Sequence, residues 1–323
     1  MRYVILGAGA IGCAIGGRLF EHGHDVVLVA RGDHLAALAS EGLELRDPER
    51  TVKLAIATAP TPAAADFRNG DVAVLTSKTQ HSELLLTELA ACAPPSTPVV
   101  CAQNGVENER LALRRFSNVQ AMCVFMPATH LKPGVVEIPV SPLTGLLDLG
   151  RYPTGVDDVS GRVAADLNAS SFGSVPDKNV MARKYLKLLS NLGNALQAAC
   201  GTRSEDPAAE ELWRLAREEG SRCFEAAGIE VADPDLDAER RASLGSLRPV
   251  GGHDLSLGSS WQSLARGTGN IEADWLNGEI VLLGRLHGVA TPVNELLRST
   301  ANRMARDRTA PGSIAAKDLL DQL

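Results

Sequence analysis

The sequence predicts an α/β protein, with an N-terminal Rossmann-type doubly wound sheet followed by an all-α C-terminal domain. Three observations predict it. Short, apolar, β-rich runs alternate with helical stretches through the first half. A glycine-rich turn joins the first such run to the first helix. From Asn179 onward the strand-like runs disappear and long helical periods take over. Apolar strands interleaved with helices imply a parallel sheet covered on both faces.

Element by element, β-rich runs fall at Tyr3–Leu6, Asp25–Ala30, Val72–Thr76 and Pro98–Ala102, with helical stretches such as Glu83–Ala91 between them. After Ala121–Phe125 the pattern changes. Gly134–Pro139 and Thr144–Leu149 read as hairpin-type strands around Pro- and Gly-bearing turns, an antiparallel edge. Helices are expected over Ala182–Ala199, Pro207–Ala227, Ile271–His287 and Leu296–Asp307. Gly173, Pro176 and nearby polar residues place the domain boundary near Ser174–Asp177, giving domains 1–176 and 177–323. The Gly- and Ser-rich stretch Ser243–Ser260 reads as a long loop, either functional or a case of surface disorder.

Composition bounds the partners. The 323 residues carry 32 Lys+Arg against 39 Asp+Glu, a net charge of −7, and only 6 Phe, 3 Tyr and 3 Trp. That balance lacks the cations and stacking platforms of a nucleic-acid binder. No apolar run is long enough for a membrane span. The six cysteines are scattered without a C-x-x-C pair, and no His pattern suits a metal, so no metal is expected. The N-terminal apolar run is too short for a signal peptide, and a cytoplasmic protein is expected.

Gly7-Ala8-Gly9-Ala10-Ile11-Gly12 fits G-x-G-x-x-G between a strand and a helix. Gly7 permits the tight turn, Gly9 lets a pyrophosphate approach the backbone, and Gly12 allows close helix–strand packing. The helix N-terminus adds free N–H groups and a partial positive charge. Arg31 follows the second strand, 19 residues after Gly12. A guanidinium there takes a 2′-phosphate, which points to NADP(H), whereas an acidic residue would read an NAD ribose. Asp33 leaves the NAD alternative open.

With these residues placed, four later motifs resemble those of the ketopantoate reductase family, over nearly the whole chain from Gly7 to about Asn294. They are Thr76-Ser77-Lys78, Gln103-Asn104-Gly105 and the helix Lys184-Tyr185-Leu186-Lys187-Leu188-Leu189-Ser190-Asn191. The fourth is Ser259-Ser260 with Glu272, Leu276-Asn277-Gly278 and Thr291-Pro292-Val293-Asn294. The resemblance implies NADPH-dependent reduction of a small 2-keto acid, first of all 2-dehydropantoate to pantoate in pantothenate biosynthesis. It also implies an active site in the interdomain cleft. On it Lys187 falls on the general acid and Glu272 on the acidic residue facing the reacting end of the cofactor. Lys78 and Asn104 fall on cofactor contacts, Asn104 also on the substrate. Ser260, with Ser259 as its alternative, falls on the substrate serine, and Asn191 and Asn194 on the orienting amides. The family's second asparagine lies four residues after the first, whereas Asn194 lies three after Asn191 and Ala195 holds the fourth place. The segment 267–274 also departs from the family's run.

The residues alone leave blander roles open. Lys78 and Asn104 each follow a strand, where ligands of open sheets bind, yet each also suits a turn or cap. Lys187, Asn191 and Asn194 share one helix face with Ser190 beside them, which a polar substrate would satisfy. Continued by Lys184 and Arg183, the same stripe suits a solvent-facing helix. Glu272 suits dipole compensation in a helix beginning near Asn270, and Ser260 an N-cap for Trp261–Arg266. Rival functions are the same machinery on another 2-keto or 3-hydroxy acid, and a non-catalytic NADP(H)-binding sensor. The oligomeric state stays open, with a homodimer as one candidate.

Overall fold

The computed structural model describes residues 1–201, 206–250 and 258–323. The first half runs β1 (Arg2–Leu6), α1 (Ala10–Glu21), β2 (Asp25–Val29), α2 (Gly32–Glu41), β3 (Leu43–Arg46), β4 (Thr51–Leu54) and β5 (Ala57–Ala59). There follow β6 (Asp71–Leu75), α3 (Ser82–Ala90), β7 (Val99–Cys101), α4 (Asn108–Leu113), β8 (Val119–Phe125), β9 (Val135–Glu137) and β10 (Leu146–Arg151). The rest is helical: α5 (Asp158–Ala169), α6 (Val180–Asn191), α7 (Gly193–Cys200), α8 (Pro207–Ala226) and α9 (Pro234–Ala242). The last are α10 (Ser259–Ala265), α11 (Asn277–His287), α12 (Pro292–Arg306) and α13 (Ala316–Leu320). The chain divides into two compact units, Met1–Arg183 with Asp233–Leu255, and Lys184–Ala232 with Ser256–Leu323.

The first unit is built on a seven-stranded sheet of order β10-β8-β7-β6-β1-β2-β5. All its neighbours pair in parallel except β10, which closes one edge antiparallel to β8. Tyr3, Val4, Ile5 and Leu6 are all fully buried, as a strand covered on both faces must be. Leu6 lies opposite both Val29 and Leu75, and Leu75 opposite Cys101, so four strands end in line. From β1 the chain winds outward to β2 and β5, then jumps back to lay β6 on the other side of β1. That reversal opens a crevice at the carboxyl ends of β1 and β6, the usual ligand position in such sheets.

A second sheet, β4-β3-β9, was not anticipated, nor was β5. β9 pairs in parallel with β3, while β10 joins the main sheet, so Gly134–Pro139 and Thr144–Leu149 do not form a hairpin with each other. The expected loop Ser243–Ser260 also reads differently. Leu247 bridges to Val140, Arg248 donates its backbone N–H to the Pro139 carbonyl, and Ser259 and Ser260 are helical. Residues 251–257 of that stretch lie outside the described residues.

A single boundary near residue 176 does not foresee that the chain returns to the first unit after Ala232. Charge holds the returning α9 there. Arg240 donates from Nε and Nη2 to the two oxygens of Asp148 at 3.0 and 2.7 Å. Arg183 bonds both Asp148 and Asp237, and Arg241 pairs with Asp237 at 2.6 Å while lying 4.8 Å over the Phe125 ring. Both carboxylates have 2% of their side chains exposed, a burial that only such multiple pairing permits.

In the second unit, the single helix expected over Ala182–Ala199 is broken at Leu192. The Leu192 carbonyl accepts instead from Asn277 Nδ2 at 3.1 Å, and Asn277 also donates to Asn294 at 3.0 Å. Asn294 donates to Glu219, whose carboxylate also takes the Val293 and Asn294 backbone N–H groups at 2.9 Å. Glu219 thus caps α12, whose first residue, Pro292, has no N–H to satisfy. Ile271–His287 likewise splits, into a 3₁₀ turn over Glu272–Trp275 and α11, at Leu276 with φ −110° and ψ −83°.

One imidazole braces the glycine-rich turn. His34, on α2, donates from Nε2 to the Ala8 carbonyl at 2.6 Å and accepts at Nδ1 from the Gly134 N–H at 2.9 Å. These bonds fix the neutral tautomer. Burial, and then the His130 ring 4.2 Å away, push His34 down to about 4. The depressed value means that its stabilising contribution is complete above about pH 6.5 and is lost as pH falls through 4. The swing is on the order of 2 kcal/mol after allowance for partial exposure. Thermal melts between pH 7.5 and 4 should therefore show a flatter acid limb for His34→Gln than for the wild type. Equal slopes would remove His34 as the brace.

Candidate active site

The four aligned strand ends carry the residues expected to hold a dinucleotide. Gly7 leaves β1 with φ +109°, and a Cβ there would stand 2.6 Å from the Ser77 nitrogen, so only glycine fits. A Cβ on Gly12 would meet the Gly7 carbonyl at 2.4 Å and Thr76 Oγ1 at 2.6 Å. Gly9 differs: its missing side chain faces open space, with nothing within 4 Å. The assignments made from spacing therefore separate into two packing glycines and one that leaves room beside the backbone.

Gly9 is the N-cap of α1 and supplies no side-chain cap, and no acidic residue stands in the first turn. The N–H groups of Ala10, Ile11 and Gly12 open the helix with no carboxylate beside them, which suits an anion. Ala8 is buried, and its carbonyl also accepts from the Cys13 thiol at 3.1 Å. Burial pushes that thiol up, so Cys13 serves as a donor here and not as a nucleophile.

Arg31 lies at the end of β2 as the extended N-cap of α2. Its exposed guanidinium bonds the carboxylate of Glu88 on α3, at 3.0 and 3.2 Å from one nitrogen. This partner lies 57 residues away, beyond the reach of local spacing. Asp33 sits exposed in the first turn of α2.

Lys78 and Asn104, both half-buried, follow β6 and β7. A network missed from sequence binds their two loops together. Gln103 Nε2 donates to the Ser77 carbonyl at 2.8 Å, to Ser82 Oγ at 2.8 Å and to Asn108 Oδ1 at 3.1 Å. Asn108 Nδ2 donates to Thr79 Oγ1 at 3.1 Å, and Thr76 Oγ1 to the Gly7 carbonyl at 2.8 Å. The only available signal was polar residues next to an otherwise apolar strand end. Ser77 Oγ is buried with no hydrogen-bond partner among the described residues. An orphaned hydroxyl beside an open helix N-terminus fits a site shaped for a polar ligand.

The remaining expected residues lie in the second unit. Lys187 is half-buried on α6, and Lys184 is buried at 4% exposure, so the stripe is not the solvent-facing one that a plain amphipathic helix would show. Ser190, however, is exposed and leaves the stripe. Asn191 ends α6, and its Oδ1 is buried without a partner among the described residues. Asn194 lies past Leu192, on α7.

α10 packs on α7. The Gly258 N–H donates to Gln197 Oε1 at 2.8 Å, and a Cβ on Gly258 would stand 3.7 Å from Asn194 Oδ1. Gly258, not Ser260, is the N-cap, and the helix is Ser259–Ala265. Ser260 sits buried inside the first turn, 3% exposed. Glu272 is half-buried at the start of the 3₁₀ turn and opens no α-helix. Asn277 and Asn294, part of the fourth motif, are structural bridges.

Among the described residues, no group of three or more His, Cys, Asp or Glu is placed to hold a metal ion. None of their helices is long and apolar enough to cross a membrane.

Comparison with known proteins adds a family to this geometry. Residues 3–150 match the model of ketopantoate reductase PanE/ApbA, and residues 179–305 match that of its C-terminal part. A 2-dehydropantoate 2-reductase of Pyrococcus horikoshii is 26% identical over 310 residues, covering 92% of this chain and 95% of the relative. One from Caulobacter vibrioides is 27% identical over 312 residues, covering 93% and 98%. The crystal structure of a PanE/ApbA family ketopantoate reductase from Ralstonia eutropha JMP134 superposes with a TM-score of 0.80 at 26% identity, covering 95% and 99%. D-mandelate dehydrogenase, solved with NADH and anilino(oxo)acetate, shares the fold with a TM-score of 0.81 at 21% identity, covering 96% and 100%. Two family models that together span most of the chain, with relatives matched over nearly their whole length, show that the chain belongs to the ketopantoate reductase family of NADP-dependent oxidoreductases.

Proposed function

We propose that the chain reduces a small 2-keto acid to the 2-hydroxy acid with NADPH, 2-dehydropantoate being the first candidate. The observation that carries this reading is the polar pair on α6, a half-buried Lys187 with Asn191 one turn on. The partnerless Asn191 Oδ1 needs a donor, since a buried unmet acceptor costs about 1–3 kcal/mol. The hydroxyl of 2-dehydropantoate is such a donor, whereas a ketone and a carboxylate are not. The relatives named 2-dehydropantoate 2-reductase point the same way.

Gly7, Ala8, Gly9, Ala10, Ile11 and Gly12 would hold the pyrophosphate through the α1 N-terminus, and Arg31 the 2′-phosphate. Lys78 and Asn104 would hold the nicotinamide end. When bound, the reduced nicotinamide supplies hydride to the ketone carbon. Lys187 stabilises the negative charge growing on the ketone oxygen and gives that oxygen a proton. Ser260, with Ser259 beside it, takes the substrate carboxylate. Asn104, Asn191 and Asn194 orient the substrate, and Glu272 holds Lys187 or the cofactor ribose.

A substrate panel read by NADPH absorbance tests this, with 2-dehydropantoate and an aryl 2-keto acid each run with NADPH and NADH. Turnover of neither acid, with NADP⁺ still bound, would leave a sensor. Lys187→Ala should lower kcat about 10²–10⁴-fold on the accepted acid while NADP⁺ affinity changes less than about twofold. Retention of most of kcat would remove Lys187 as the acid. The glycines separate packing from binding. Gly12→Ala should cost about 1–3 kcal/mol or more in a melt, since its Cβ has nowhere to go. Gly9→Ala, an N-cap change with open space for the Cβ, should cost no more than about 1 kcal/mol and weaken NADP⁺ binding at least about tenfold. Unchanged NADP⁺ affinity in Gly9→Ala would place the pyrophosphate elsewhere.

A further inference from the structure

Arg31 is the residue expected to distinguish NADP(H) from NAD(H), yet its guanidinium is already engaged. One nitrogen, Nη2, donates to both oxygens of Glu88, at 3.2 and 3.0 Å. The partners come from different elements, the cap of α2 and the last turn of α3, and 53% and 31% of their side chains are exposed. The other two guanidinium nitrogens make no hydrogen bond among the described residues, so one edge of the fork remains open to a phosphate. Arg31 is the only partner of the Glu88 carboxylate within the same set.

Two effects of Glu88 on a 2′-phosphate oppose each other. Holding one nitrogen restrains a long side chain, and exposed pairs of this kind are individually weak. Against this, a full negative charge stands one guanidinium away from a group carrying about −1.5 to −2 charges. The repulsion scales with the charge of the ligand, while the restraint does not, so repulsion prevails. NAD(H), with a 2′-hydroxyl, escapes the repulsion, and a carboxylate near that position is the acceptor such a hydroxyl uses. We propose that Glu88 is a specificity-determining residue, which, through its pair with Arg31, weakens the preference for the 2′-phosphorylated dinucleotide and admits NAD(H). The proposal rests on the NADPH reading above.

The test is calorimetric titration of the intact protein with NADP⁺ and with NAD⁺, without substrate, so that binding is read apart from turnover. In Glu88→Gln the Kd for NADP⁺ should tighten about three- to tenfold at low salt, while that for NAD⁺ moves less than about twofold. The gain should shrink by about half or more in 0.5 M salt, because exposed charges are screened. An unchanged or weaker NADP⁺ affinity in Glu88→Gln would overturn the proposal. Arg31→Ala separates this failure from that of the cofactor reading. If Arg31→Ala abolishes NADP⁺ preference but Glu88→Gln moves nothing, Glu88 alone is misassigned. If Arg31→Ala also leaves the preference untouched, the 2′-phosphate lies elsewhere and the Glu88 proposal falls with the Arg31 assignment, while a wild type without NADP⁺ preference would overturn the NADPH reading itself. Arg31 is exposed and Glu88 partly so, so the variants should fold as the wild type does.

Discussion

The closeness of α1 to the end of β1 is the constraint from which the first unit follows. A Cβ on Gly12 would lie 2.4 Å from the Gly7 carbonyl, so helix and turn share a space that admits no side chain. That contact aims the first-turn N–H groups at the strand ends. The parallel register then brings the residues after β2, β6 and β7 to the same edge. An anion site made in this way depends on backbone geometry, and the side chains around it have only to hold that geometry still.

Several do so without being candidates for ligand contact. His34 ties the Ala8 carbonyl to the Gly134 N–H, and the Gln103 amide binds the loop after β6 to the loop after β7. Glu219, Asn277 and Asn294 do comparable work in the second unit, where they absorb the helix break at Leu192 and cap α12. Buried polar groups of this kind specify one arrangement because any other would leave them unmet.

How much of this was legible in the sequence followed the range of the interactions. The glycine-rich turn, the strand ends and α8 are set by local spacing, and they lie within a residue or two of where spacing put them. β3 and β4 escaped because Leu43–Arg46 and Thr51–Leu54 are four-residue alternations, too short to stand out from turn composition. The division at Leu192 was invisible because the group that takes the Leu192 carbonyl, Asn277, lies 85 residues away. Of the stripe, Lys187 and Asn191 share α6, while Asn194 stands on α7. Glu88 as the partner of Arg31 was hidden for the same reason, a separation of 57 residues.

The return of α9 to the first unit has a bearing on how the protein can be taken apart. Between units the chain passes at 183/184, again at 232/233 and a third time between residues 250 and 258. Neither unit is therefore a continuous stretch of the gene. A truncation after residue 183 would strip Asp148 of Arg240 and leave a carboxylate nearly enclosed by protein with half of its cations gone. A single proteolytic nick would leave two other covalent links in place. Exchange of the helical unit between relatives would require two excisions rejoined around a retained α9, so this architecture resists modular shuffling even though its two halves look like separable cassettes.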